Sequence, residues 1–109
     1  MKKTVIITMV CLMCAGNAIA GDPKEIAWME RGKDAVKSRL KDPNSAQFKN
    51  VYFNRGSEGI PVTCGEVNSK NSYGGYSGFQ RFLSAGSRDN TFLEREVSDF
   101  RASWNQFCK

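Results

Sequence analysis

Apolar and polar positions change period three times along this chain. After residue 20, Ile26, Met29, Val36 and Leu40 recur at helical spacing, with Lys33 and Gly32 interrupting the middle of the stripe. Asp22-Pro23-Lys24-Glu25 reads as a helix start, with an acidic cap, proline in the first turn and an acid three residues after the cap. Asp42-Pro43 predicts the stop, because a residue before proline avoids the α region. Trp28 lies off the stripe and is expected to cover a flank of the core.

From Phe48 the period becomes two. Val51 and Phe53 face one way, and Asn50, Tyr52 and Asn54 the other. Gly56-Ser57-Glu58-Gly59 is a turn, and Ile60, Val62 and Cys64 alternate again, so the stretch predicts a β-hairpin. Pro61 has no amide donor, which places the start of its strand at an edge or ahead of the ladder. Phe79 to Ala85 and Thr91 to Glu96 are two further strand candidates around a turn at residues 86–90, although Phe92 to Val97 could equally open the last helix. That helix runs from Ser98, taken as its cap, through Phe100, Trp104, Phe107 and Cys108. The expectation is an α+β domain: a small antiparallel sheet of 3–4 strands packed with an N-terminal and a C-terminal helix.

The first twenty residues change the chemical setting. Lys2 and Lys3 precede an apolar stretch from Val5 to Ala15, and Ala18-Ile19-Ala20 offers small residues before a cut at Gly21. The stretch is shorter than the roughly 20 residues of a membrane span. Residues 1–20 are therefore expected to be a cleaved signal peptide, and residues 21–109 a single small domain in the periplasm or outside the cell. Lipidation of Cys11 or Cys14 fits less well, because Val10 and Met13 stand where a small residue is wanted. With Lys2 and Lys3 removed, fourteen cations face eleven acids, and the net charge falls from +5 to +3. Cys64 and Cys108 then remain in an oxidising compartment, which permits one disulfide. Closing a loop of that length contributes about 4 kcal/mol in the chain-entropy model.

Composition removes several function classes. The chain has no His, so triads and imidazole-ligated metal sites are excluded. No ligand set for a metal and no cofactor motif is legible. Arg81, Arg88, Arg95 and Arg101 are interspersed with acids, which reads as a solvated face and not as a nucleic-acid surface. Glu58, Glu66, Asp89, Glu94, Glu96 and Asp99 supply carboxyls, but no motif pairs them as a glycosidase would require. The expectation is a protein that is not an enzyme.

Residues 68–79 stand apart. Asn68, Lys70, Asn71, Tyr73 and Tyr76 lie among Gly74, Gly75 and Gly78, a mixture of flexible backbone, amides, a cation and rigid aromatics. Binding loops favour such residues, while a structural turn whose tyrosines cover the sheet end accounts for them as well. Asp42-Pro43-Asn44-Ser45-Ala46-Gln47-Phe48, the run from Val62-Thr63-Cys64-Gly65-Glu66-Val67-Asn68 to Asn71, and Gly74-Gly75-Tyr76 with Gly78-Phe79 form a pattern over about residues 42–83. It resembles one found in small exported proteins of proteobacteria and their phages or plasmids. The resemblance implies a stand-alone periplasmic or secreted domain and brings no activity or catalytic residue with it. Three functional expectations follow: a binding or accessory protein acting on an envelope protein, a self-associating subunit of an envelope, secretion or conjugation assembly, and, more distantly, a glycan hydrolase using Glu66.

Overall fold

The computed structural model describes residues 22–109. The expected signal peptide at residues 1–20 and the lipidation alternative at Cys11 and Cys14 lie outside the described residues. Helix α1 spans Pro23–Lys37, and α2 spans Phe100–Phe107. Between them lie four strands: β1 Gln47–Arg55, β2 Pro61–Asn68, β3 Gln80–Ser84 and β4 Thr91–Leu93. They form one antiparallel sheet in the order β1-β2-β3-β4. The fold is the expected α+β arrangement, with one helix on each side of the sheet.

Alternation along the strands divides the interior into two cores. Val67, Phe82 and Leu93 face α1 and pack with Val36, joined by Leu40, Phe48 and Val51. Val62, Cys64 and Leu83 face the other way and pack with Phe100 and Cys108 of the α2 segment. The α1 side is drawn in tightly. A Cβ on Gly32 would lie 2.6 Å from both Cβ and Oγ1 of Thr63, so only glycine allows this approach of helix to sheet. Thr63 Oγ1 also donates to the Trp28 carbonyl at 3.1 Å. Gly32, which weakens the helical pattern in the sequence, is the point where the helix touches the sheet.

Asp22 caps α1 as expected, accepting from the Lys24 amide at 2.9 Å. The helix ends at Lys37, before the predicted Asp42-Pro43 stop. Ser38 Oγ donates back to the Ala35 carbonyl at 2.6 Å, and the Arg39 and Leu40 amides tighten to carbonyls three residues earlier. Leu40 still reaches the core from this turn. Trp28 covers a flank, its ring lying where a Cβ on Gly86 would be 2.7 Å from Cζ3, with Arg31 stacked on it at 4.9 Å.

In β1 the pairing slips between Lys49 and Tyr52, and Asn50 has φ 55°. This bulge lets Phe48 and Val51, three positions apart, face the same core. Pro61 opens a central strand, but it pairs only with Arg55, since β3 reaches β2 from Thr63 to Val67. A missing donor on its β3 side therefore costs no ladder bond.

The start of α2 differs from expectation. Asp99, not Ser98, occupies the cap position, with φ 55° and no side-chain cap bond. The helix is held from its other end. The Cys64–Cys108 disulfide joins it to β2 across a Cα separation of 6.0 Å. Tyr52 Oη donates to the Cys108 carbonyl and Asn54 Nδ2 to the Phe107 carbonyl, each at 2.6 Å. These two side chains satisfy carbonyls that a helix end leaves open.

Candidate functional site

The connection from β2 to β3 is a braced hairpin. Lys70 and Tyr76 form an isolated antiparallel bridge, the Asn71 amide donates to the Gly75 carbonyl at 2.8 Å, and the Gly74 amide donates to Asn71 at 3.0 Å. Asn71 Oδ1 accepts from the amides of Tyr73 and Gly75, and Asn68 Oδ1 accepts from Gly78. Gly74 and Gly78 have φ of 81° and 95°, which their neighbours' side chains would disfavour. At its foot the Lys70 amide donates to Ser45 Oγ at 2.8 Å, fastening the hairpin to the turn after α1.

This arrangement separates the five residues singled out in the sequence. The Asn68 and Asn71 oxygens shape the loop from within. Tyr73 stands at the tip, 97% exposed, with no hydrogen bond given by its hydroxyl among the described residues. Tyr76 is 47% exposed and carries the Lys70 ammonium 5.7 Å from its ring centre. Tyr73 therefore covers nothing, while Tyr76 is about half covered. Phe79, just outside β3, is exposed with Lys49 Nζ 4.1 Å above its ring.

Beside the hairpin is a cleft of about 230 Å³ between the turn after α1 and the segment after β4. Arg39, Lys41, Lys70 and Arg95 line it, together with Asn71, Gln80 and Glu96. Arg39 is committed: it pairs with Glu96 at 3.2 Å and donates to the Arg88 carbonyl. Lys41, Lys70 and Arg95 have no carboxylate within 4.0 Å among the described residues. The cations come from three distant stretches of sequence, so no local charge run announces the cleft.

Arg88, Arg95 and Arg101 are exposed, as a solvated face requires, whereas Arg81 is drawn in. Arg81 makes a two-pronged contact with Glu94, at 3.0 and 3.3 Å, and lies 5.0 Å from the Trp104 ring and 5.4 Å from that of Phe100. Its side-chain and backbone hydrogen bonds hold the Glu94 carboxyl below its ordinary pKa. Arg88 donates to the Ser38 carbonyl and helps close the β4 side. Glu66, the residue of the hydrolase alternative, accepts from Asn50 Nδ2 at 2.9 Å and has Lys49 at 4.0 Å.

A second concavity lies on the α2 side. Ile60, Val62, Leu83, Ala85, Phe92 and Phe107 line an apolar groove of about 300 Å³. It exists because α2, at eight residues, is only about 12 Å long and cannot cover four strands. Ile60 and Phe92 stay about two-fifths exposed on its walls. The sequence left Phe92 open between a strand and the start of the last helix; it lies in β4, on a face that α2 leaves open. No helix among the described residues is long and apolar enough to cross a membrane, and no group of three Cys, Asp or Glu there could hold a metal ion. Comparison with protein-family models, curated proteins and solved structures finds no match for this chain.

Proposed function

We propose that this chain is an exported, disulfide-stapled binding module that engages an envelope protein through the β2–β3 hairpin. The observation that carries the reading is Tyr73, an aromatic side chain fully presented on a turn whose backbone is fixed by Asn71. A rigid loop loses little entropy when it binds, and tyrosine offers apolar area with a polar tip. A disulfide is consistent with an oxidising compartment, and the basic-apolar-small pattern of residues 1–20 supports export.

The test is capture from envelope extract with the oxidised mature domain, alongside the Tyr73→Ala/Tyr76→Ala variant. Capture is expected to be lost with the melting temperature unchanged, because neither ring contributes to the two cores. Retained capture with a lowered melting temperature would make the hairpin structural. The groove beside Phe92 favours a second reading, self-association. Light scattering on the same samples decides it: a mass that rises with concentration supports the subunit reading, and a constant monomer mass rejects it.

A further inference from the structure

We infer that the cleft between the hairpin and the turn after α1 is a carboxylate-binding site that takes an acidic polypeptide segment. The inference rests on the binding-module reading and adds the chemistry of the partner. Its basis is that the free polar groups lining the cleft are predominantly donors.

Lys41, Lys70 and Arg95 bring three positive charges without a carboxylate partner, and the one acid present, Glu96, is taken by Arg39 at 3.2 Å. The two amides on the wall have their oxygens occupied. Asn71 Oδ1 accepts the backbone N–H groups of Tyr73 and Gly75, and Gln80 Oε1 accepts that of Arg95 at 2.9 Å. A backbone N–H can only donate, so the orientation of both amides is fixed and each retains its NH2 as a donor. Ammonium, guanidinium and NH2 groups together match a ligand that only accepts, namely an ionised carboxylate.

Three features favour a polypeptide over a lone anion. The cations reach the cleft from separate elements, at residue 41, residue 70 and residue 95, so they suit carboxylates spaced along a chain. Tyr76 lies beside Lys70, and it and the exposed Tyr73 of the same hairpin offer ring area that a small anion leaves unused. Arg95 also reaches the Phe79 carbonyl at 3.4 Å and Ser77 Oγ at 3.5 Å, contacts long enough for a carboxylate to replace.

Hexaglutamate is the probe, titrated into the labelled mature domain while amide NMR shifts are followed. Saturable shifts are expected at Lys41, Lys70, Asn71 and Arg95, weakening as salt is raised. Lys70→Glu and Arg95→Glu should each reduce affinity about tenfold or more, since each converts an attraction into a repulsion. Arg101→Glu, an exposed substitution on α2, makes the same change in net charge and should leave affinity within about twofold. Circular dichroism confirms that all three variants fold. Absence of saturation overturns the inference, and so does an equal loss in Arg101→Glu, which would mean attraction to net charge alone. Tighter binding at the same residues by inorganic phosphate, or by phosphatidylglycerol vesicles, overturns the polypeptide assignment. Failure here with tyrosine-dependent capture intact removes the cleft and keeps the hairpin. The reverse outcome removes the hairpin and keeps the cleft.

Discussion

The two faces of the sheet are closed by different means. On one, a fifteen-residue helix lies directly against the strands at Gly32, with its own Val36 and the Phe82 beneath it fully buried. On the other, an eight-residue helix is held by a disulfide and two side-chain bonds to its last carbonyls, and an apolar groove stays open beside it. Where the chain supplies enough helix, close packing suffices. Where it does not, a covalent bond substitutes for buried area, as small domains require. The hairpin and its cationic cleft lie at the end of the strands and depend on neither helix for their shape, except through Ser45 and the turn after α1.

The largest test of this difference is removal of the bond. Cys64→Ser/Cys108→Ser should lose about 4 kcal/mol, a large share of the stability of a domain this size. The loss should appear first on the α2 side. Near-ultraviolet dichroism from Trp104 and hydrogen-exchange protection of Phe100–Phe107 should fall while α1 amides remain the better protected. Equal loss from both helices would show that the two faces are one cooperative unit and that the contrast is only geometric.

A smaller effect is expected on the α1 side. In Gly32→Ala the new methyl would meet Thr63 at 2.6 Å. Alanine favours helix by about 1 kcal/mol, but forcing helix and sheet apart costs about 1–3 kcal/mol, so the net is a loss of up to about 2 kcal/mol. That corresponds to a fall of up to roughly 15 °C in melting temperature. Gly75→Ala is the matched control, because nothing lies within 4 Å of its added carbon and its φ is ordinary. A rise in stability for Gly32→Ala would mean that the contact is slack and that the α1 face is not closed by packing.

These substitutions also show which features were legible in the sequence. The start of α1 was readable because Asp22-Pro23 acts within one turn, and the disulfide because the expected export leaves Cys64 and Cys108, which have one pairing. The first hairpin was readable from its alternation. The end of α1 was not, because Leu40 continues the apolar stripe while the backbone tightens around Ser38. The bulge left a trace in the odd spacing of Phe48 and Val51, but Asn50 itself looks like any polar strand residue. Asn68, Lys70, Asn71, Tyr73 and Tyr76 were legible as an unusual cluster. Their division into braces and presented side chains depends on backbone hydrogen bonds that composition does not encode. The cleft was hidden because topology, not sequence proximity, gathers residues 41, 70 and 95.

The smallest expected effect, and the one that addresses the α2 face most selectively, is set by pH. Glu94, bound by Arg81 beneath the Trp104 ring, has its pKa lowered by those hydrogen bonds. Tyr52, whose hydroxyl holds the Cys108 carbonyl, has its pKa raised by burial. Both groups serve the α2 side. A lowered carboxyl pKa stabilises the fold above the ordinary value of about 4.3, and the contribution is lost as pH falls through it toward the folded value. A raised phenol pKa stabilises below about 10 and is lost as pH rises through the folded value. Glu94 is partly exposed and screened, so Glu94→Gln should cost no more than about 1 kcal/mol at neutral pH and flatten the acid limb of stability below the ordinary carboxyl value. Tyr52→Phe should flatten the alkaline limb and leave the acid limb alone. Urea midpoints across pH measure both, and amide exchange locates them: the acid and alkaline losses should fall on α2 and β1 with α1 unaffected. An acid limb that survives Glu94→Gln would move the effect to other carboxylates and leave the Arg81–Glu94 contact without a part in holding the short helix.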